Sequence, residues 1–412
     1  MVIRLVSGVR RWLLPAQASA VALPVLGARG LRALVDGYMS VLLPAYLLVI
    51  GLSTLQVGIV ASATLLGSAL ATMLVGLQGH RIGASRLLAA AALLMVATGL
   101  GFAGLTAFWP LLLVAFIGTL NPSAGDVSVF LPLEHARLAA AAEGHARTAL
   151  FARYSVIGAL CASLGALAAG VPAWLQKSGW SELAALRAMI LLYALVGLWV
   201  WWLYRRNNAA PAAATPPHQP LRASRGIVIR LALLFSVDAF AGGLVVNALM
   251  SLWLLERFDL SLAQAGLFFF WTGLLSAASQ LAAAPVARRI GLLNTMVFTH
   301  IPSSVCLIGA ALVSDVHVAL GLLCVRAALS QMDVPTRSAF VMAVVTPAER
   351  PAAASLTAVP RSLAAALSPT LAFAMFSAGW LAAPLVACGL LKIGYDVVLW
   401  LACRKQVLPE PA

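Results

Sequence analysis

The sequence is poor in charged residues and poorest in acidic ones. Of its 412 residues 10% are charged, with 13 Asp and Glu against 27 Lys and Arg. A soluble globular domain has about 25% charged residues, so this chain lacks the polar surface that keeps such a fold in water. The apolar share of 62% indicates instead a protein that exposes much of its surface to lipid.

Motifs of catalysis and cofactor binding are also lacking. The five cysteines have no metal or redox spacing, and no nucleotide loop, HExxH pair, nucleophile elbow or calcium loop occurs. We therefore expect no catalytic residue, metal or cofactor. ATP-driven transport needs a phosphate-binding loop, so any transport is predicted to be secondary.

Long apolar runs fill most of the chain. A spanning helix needs about 20 apolar residues, because only a helix satisfies its own backbone hydrogen bonds across roughly 30 Å of hydrocarbon. The segments of about 10 alternating residues that are typical of a membrane β-barrel are absent. The pattern predicts an all-α integral membrane protein with twelve transmembrane helices, near residues 31–51, 55–77, 87–107, 109–131, 147–171, 185–204, 228–254, 263–287, 293–314, 318–343, 353–376 and 382–402.

The net charge of +14 reflects membrane topology and does not indicate a nucleic-acid partner. With both termini inside, nineteen of the 27 basic residues, including Arg32, fall in cytoplasmic segments. This is the positive-inside rule, and it predicts a multi-pass protein of a bacterial inner membrane. Residues 1–28 superficially resemble a signal peptide, but Pro15 and Pro24 interrupt the apolar stretch, so we interpret them as a cytoplasmic arm.

The polar, Pro-rich stretch 205–226 separates two halves, 29–204 and 227–405, and a tail, 406–412, follows them. The halves repeat at an offset of 208 residues. Arg81-Ile82-Gly83 recurs as Arg289-Ile290-Gly291, and Arg153 recurs as Arg361. The chain is therefore predicted to be two six-helix repeats joined by a cytoplasmic linker.

The loop after the second predicted helix, Gly76-Leu-Gln-Gly-His80-Arg81-Ile-Gly83-Ala-Ser-Arg86, resembles the Gly-x-x-x-Asp-Arg-x-Gly-Arg-Arg signature of the major facilitator superfamily. The resemblance implies its fold, with a substrate site near the midplane between halves that rock around it. His80 replaces the acidic residue that latches the outward-facing state. The signatures of drug antiporters are absent or incomplete. The resemblance and the repeat together predict a cytoplasmic gate comprising Gly76, His80, Arg81, Gly83, Arg153, Arg289, Gly291 and Arg361.

Ionisable groups at membrane depth are costly, so each is a candidate for function. Asp36 and Asp238 stand on the first and seventh predicted helices. Buried carboxylates of this kind can exchange protons near neutral pH, as proton coupling requires. The alternative is that each Asp is a topological anchor paired with Arg32 or Arg230.

The fourth predicted helix contains the helix-breaking segment Asn121-Pro-Ser-Ala-Gly-Asp126. Interrupted spans mark binding sites in transporters, so Asn121 and Asp126 are candidate site residues. The alternative is a proline kink whose freed carbonyls are satisfied by neighbouring side chains.

The tenth predicted helix carries the densest polar cluster, with Arg326, Gln331, Asp333 and Arg337. Asp333 and Arg337 share a helix face and form either a structural pair or part of a site. Arg326 has no acid three or four residues away, so it is the leading candidate for substrate or coupling. Asn247 and Gln280 are predicted either to line the cavity or to form hydrogen bonds between helices. Lys392 and Asp396 are predicted to form an i,i+4 pair on a peripheral helix, with a structural or interfacial role.

These patterns favour a secondary active transporter that moves a small organic solute by alternating access, coupled to protons, with efflux favoured by family frequency. A proton-independent facilitator or an anion importer is the alternative, and a membrane sensor or enzyme is a remote one. The predicted partners are the solute, protons and the lipid bilayer, with no nucleic acid. A monomer is predicted.

Overall fold

The computed structural model describes residues 14–15, 18–122, 128–206, 224–346 and 349–404, without the side chains of 76–82, 144–145 and 351. Helices make up nearly all of this part of the chain. Most are rich in Leu and Ala, the residues with the strongest helix preference. Their bounds are α1 Ala22–Val49, α2 Thr54–Ile82, α3 Ala84–Gly104, α4 Phe108–Ile117, α5 Phe130–Ala141, α6 Gly144–Leu167, α7 Val171–Lys177, α8 Glu182–Arg205, α9 Arg225–Gly243, α10 Asn247–Phe258, α11 Leu262–Ile290, α12 Leu292–Leu312, α13 Val316–Ser330, α14 Asp333–Val344, α15 Arg350–Ser377 and α16 Ala383–Cys403.

Eleven helical segments in the described ranges are long and apolar enough to span a membrane. The fourth predicted span is not among them, because its first helix, α4, has ten residues and α5 begins at Phe130. The predicted span 109–131 is thus interrupted, in keeping with the helix-breaking residues in its sequence. The first span also begins earlier than predicted, at Ala22, so the predicted arm 1–28 ends in helix.

The tenth span is divided as well, between α13 and α14, with a turn at Gln331 and Met332. Pro335 lies four residues after Gln331 and has no backbone N–H to donate to the Gln331 carbonyl. Its ring also clashes with that carbonyl in a continuous helix. The break therefore follows directly from the local sequence, and it places Asp333 at the start of a new helix.

Two glycines give the repeat a backbone signature. Gly83 precedes α3 with a φ of +83°, and Gly291 precedes α12 with a φ of +86°. Residues other than glycine rarely adopt such φ angles. The two positions are 208 residues apart, so the repeat seen in the sequence is present in the folded backbone.

The chain forms two compact units. The first contains the described residues within Met1–Leu52, Gly67–Thr215 and Leu262–Phe270, and α1 packs there on α6 and α3 on α8. The second contains those within Ser53–Leu66, Pro216–Ser261 and Trp271–Ala412, and α9 packs there on α15 and α12 on α16. The beginnings of α2 and α11 thus group with the opposite half of the sequence. Most of the predicted linker 205–226 and all of the tail 406–412 lie outside the described residues.

Candidate functional site

The second unit buries six ionisable side chains in one group, which we call the Asp238 cluster. They come from four spans, and five of them are less than 10% exposed as side chains, while Lys392 is 13% exposed. Because charged groups are rarely buried unless they are paired, such a group requires a tight set of contacts. Its members are Asp238, His300, Asp333, Arg337, Lys392 and Asp396.

Asp238 of α9 is the acceptor at the centre of this cluster. Arg337 donates from Nη1 to Oδ2 at 2.9 Å, and Lys392 donates from Nζ to Oδ1 at 2.6 Å. The second terminal nitrogen of Arg337 bonds to Asp333. The guanidinium therefore bridges α9 and α14, and Asp333 and Arg337 are part of a larger network. The anchor alternative that paired Asp238 with Arg230 was wrong.

His300 of α12 joins the cluster from the opposite side. Its Nδ1 lies 2.9 Å from an oxygen of Asp396, and its Nε2 lies 3.3 Å from Nζ of Lys392. The predicted pairing of Lys392 with Asp396 was therefore wrong. The two side chains share a helix face, but each meets a partner on a neighbouring helix. Sequence reasoning missed His300. The feature that could have indicated it is the presence of an ionisable side chain inside an apolar span.

Aromatic and apolar side chains surround the cluster. Phe235 lies under the Arg337 guanidinium at 5.6 Å, and the ring of Tyr395 meets that of His300 edge to face at 6.4 Å. Arg361 of α15 lies within electrostatic range of Asp238 and Asp333. In the described part of the chain no group of three or more His, Cys, Asp and Glu side chains is arranged to hold a metal ion. The contacts found within the cluster are ion pairs and hydrogen bonds among its own side chains.

Arg326, the leading sequence candidate, lies apart from these pairs. Its side chain is half-buried on α13 and forms no ion pair with a described residue. Further along the same span, Gln331 accepts a hydrogen bond of 3.4 Å from Gln280 of α11. Asn247 is half-buried at the first position of α10, directly after the break in the seventh span. Uncharged polar groups thus accompany both breaks in the second unit.

The first unit contains a second buried polar group, built around the ion pair of Arg32 and Glu134. We call it the Glu134 cluster, and its other members are Tyr154 and Tyr204. Glu134 of α5 is 0% exposed and accepts from Nη2 of Arg32 at 2.5 Å. Tyr154 donates to the same carboxylate at 2.6 Å, and Tyr204 donates to its other oxygen. One carboxylate thus joins α1, α5, α6 and α8.

Sequence reasoning missed the Glu134 cluster, because Arg32 had been counted among the cytoplasmic basic residues. Its side chain is 3% exposed, and its guanidinium lies 3.9 Å from the centre of the Phe130 ring. Asp36 is half-buried one turn further along α1, within electrostatic range of Arg32. Glu134 pairs directly with Arg32, and Asp36 also interacts electrostatically with the same guanidinium.

The break in the fourth span lies beside a cavity. Residues from Gly118 to Pro122 are not helical, and Asn121 is 8% exposed. A cavity of about 320 Å³ is lined by α2, α3 and the residues flanking the break, among them Thr119 and Ser128. The interruption predicted from the sequence is therefore present. Asp126 lies outside the described residues.

The predicted gate residues are only partly described. The side chains of His80 and Arg81 lie outside the described residues, Gly76 lies within α2, and Gly83 and Gly291 adopt the turn conformations given above. Arg289 is exposed, and Arg153 is half-buried. Arg361, predicted as a gate residue, is half-buried beside the Asp238 cluster.

Comparisons with known proteins give the chain a family context. The profile of the Major Facilitator Superfamily matches residues 25–369. An uncharacterized membrane protein of Saccharomyces cerevisiae is 21% identical over 406 residues, covering 90% of this chain and 91% of that protein. The solved structure of a bacterial homolog to the human lysosomal transporter Spinster has a TM-score of 0.77 at 15% identity, covering 95% of this chain and 98% of that one. A D-xylose-proton symporter has a TM-score of 0.69 at 16% identity, covering 94% and 98%.

Proposed function

Because the chain belongs to the Major Facilitator Superfamily, we propose that it moves a small organic solute across a membrane by alternating access. The family and the transporters that the fold resembles indicate a transporter rather than an enzyme. We further propose that protons drive the movement and that efflux is its direction. The chain is proposed to act as a monomer in a bacterial inner membrane with both termini in the cytoplasm, as the distribution of Arg and Lys favours.

The Asp238 cluster is the observation that carries this proposal. Charged groups at membrane depth are expensive, and those retained there commonly serve proton or ion pathways. Asp238 accepts from two cations on two other spans, Arg337 at 2.9 Å and Lys392 at 2.6 Å. Changing the charge of one member changes the balance among three helices at once. Such coupling between protonation and helix contacts is what alternating access driven by protons requires.

A second candidate function is supported by Arg326. This guanidinium is half-buried in a span and forms no ion pair among the described residues. A cation without a carboxylate partner suits the negative group of a substrate, which it can bind through two parallel hydrogen bonds. The chain would then be an anion importer or a facilitator, with the polar pair Gln280 and Gln331 lining the route.

Proton movement in everted vesicles tests the main proposal. Respiration acidifies the vesicle lumen and quenches acridine orange, and a solute that exchanges for protons restores the fluorescence. Ethidium, benzoate and thymidine serve as cationic, anionic and neutral probes. We expect at least one of these to restore the signal with the wild type and with Asp259→Asn, an exposed control. Asp238→Asn should reduce the recovery at least tenfold, because the variant loses the charge that both cations share.

A second measurement separates the two candidate functions. Proteoliposomes are loaded with the probe that responds, and flux is followed before and after nigericin collapses the pH gradient. Loss of uphill movement supports proton coupling. Flux that is unchanged after the collapse would refute it and favour the facilitator, and sensitivity of benzoate flux to Arg326→Leu would then support the anion site.

A further inference from the structure

His300 occupies the position in the Asp238 cluster where a single proton decides which contacts can form. It is 4% exposed on α12, and its two ring nitrogens face different partners. Nδ1 forms a hydrogen bond of 3.2 Å with Oδ1 of Asp396 and lies 2.9 Å from its Oδ2. Nε2 lies 3.3 Å from Nζ of Lys392 and 3.9 Å from Oδ1 of Asp238.

The contacts of Lys392 define the tautomer of the ring. The ammonium group carries only donors, and it donates to Asp238 at 2.6 Å while it faces Nε2 of His300. Nε2 must therefore be the acceptor, which leaves the ring proton on Nδ1. That proton points to Asp396, which accepts it. With a neutral ring both hydrogen bonds of His300 join a donor to an acceptor.

The charges of the neighbouring groups agree with a neutral ring. The carboxylates of Asp238, Asp333 and Asp396 are matched by three cations. These are Arg337 from α14, Lys392 from α16 and Arg361 from α15. From α13 the backbone carbonyl of Arg326 accepts a hydrogen bond of 3.4 Å from Ser303 of α12. Tyr395 contributes an uncharged ring edge.

We propose that His300 is the acceptor of the coupling proton. When it is protonated, the Asp238 carboxylate loses its hydrogen bond from Lys392 and accepts one from His300 instead. A proton added at Nε2 turns an acceptor into a donor that points at an ammonium group 3.3 Å away. The two donors repel, and Oδ1 of Asp238 is the nearest acceptor for the new N–H. Lys392, the most exposed member of the cluster, is the group that leaves.

The exchange changes which helices are tied together. Before protonation Asp238 joins α9 to α16 through Lys392, and afterwards it joins α9 to α12 through His300. Arg337 keeps its bonds to Asp238 and Asp333 in both states, so the contact between α9 and α14 persists. The inference rests on the proposed function only in calling the proton the coupling ion, since the partner exchange itself follows from the geometry.

Histidine NMR of the protein in lipid nanodiscs tests the assignment without any transported solute. The chain has six histidines, and the ¹⁵N signals lost in His300→Gln but present in His317→Gln, an exposed control, belong to His300. At alkaline pH we expect a neutral ring protonated on Nδ1. Between about pH 8 and 5, where histidine changes its charge, Nε2 should gain a proton. A ring protonated on Nε2 at alkaline pH, or one that stays neutral to pH 5, would overturn the inference.

Lys392→Met provides the second variant, and it also assigns the signals if His300→Gln does not fold. Without the ammonium the cluster lacks one positive charge and Asp238 lacks one donor. We expect the His300 ring to carry both protons at a pH where the wild-type ring is neutral, and Lys177→Met, an exposed control, to leave it unchanged. An unaltered ring in Lys392→Met would refute the exchange. A titrating His300 without proton flux in vesicles would refute the proposed function alone.

Discussion

Removing the charge of Glu134 is the sharpest test of how the first unit is stabilised. The carboxylate is 0% exposed, and the Arg32 guanidinium that it pairs with at 2.5 Å is 3% exposed. Two tyrosines donate to the same carboxylate, from α6 and α8. Glu134→Gln keeps the size and one oxygen acceptor but leaves the Arg32 charge buried beside a neutral amide.

The expected loss follows from the burial of both partners. Breaking a buried ion pair by removing one charge costs about 3–5 kcal/mol. For a folding unit of 150–250 residues, about 1 kcal/mol lowers the unfolding midpoint by roughly 2–4 °C. Glu134→Gln should therefore lower the apparent midpoint by roughly 6–20 °C. Tyr154→Phe removes one bond to a charged acceptor, and its expected cost is smaller, about 1.5–3 kcal/mol.

Thermal unfolding of detergent-purified protein, followed by intrinsic fluorescence, measures these effects. Glu256→Gln, on an exposed position, is the matched control and should leave the midpoint unchanged. The double variant Arg32→Leu with Glu134→Leu removes both charges and should be more stable than Glu134→Leu alone, because no buried charge is left without a partner. A double variant that loses the sum of the two single losses would refute the pairing.

Two further predictions concern the second unit. Gly291→Ala should cost roughly 1–3 kcal/mol, because the alanine must adopt a φ of +86° before α12. Gly321→Ala, inside α13 with open space around it, should leave the unfolding midpoint unchanged or raise it, and equal effects of the two would contradict the backbone argument. Arg326→Leu should reduce flux of the responding probe at least tenfold while the unfolding midpoint holds. The exposed control Arg257→Leu should transport normally, and an active Arg326→Leu would remove Arg326 from the site.

Local sequence predicted much of the candidate site but not its pairings. Asp238, Asp333 and Arg337 were selected because ionisable groups in apolar spans are costly, and the three lie in one network. Their partners could not be read from spacing. Helical periodicity places Lys392 and Asp396 on one face of α16. Their contacts nevertheless depend on the neighbouring helices, because Lys392 bonds to Asp238 and Asp396 to His300. His300 and Glu134 were overlooked for the same reason, since their importance comes from partners 92 and 102 positions away.

The sequence by itself determined that this chain is a helical membrane protein built from two six-helix repeats, because hydropathy, charge bias and the 208-residue repeat can all be read from the order of the residues. The family profile over 25–369 confirms the resemblance based on the loop motif. Tertiary structure alone decided which charges meet, because burying a charge is tolerable only beside a partner that the fold brings to it. The few charged side chains that the described residues bury in ion pairs lie in two clusters, one in each unit.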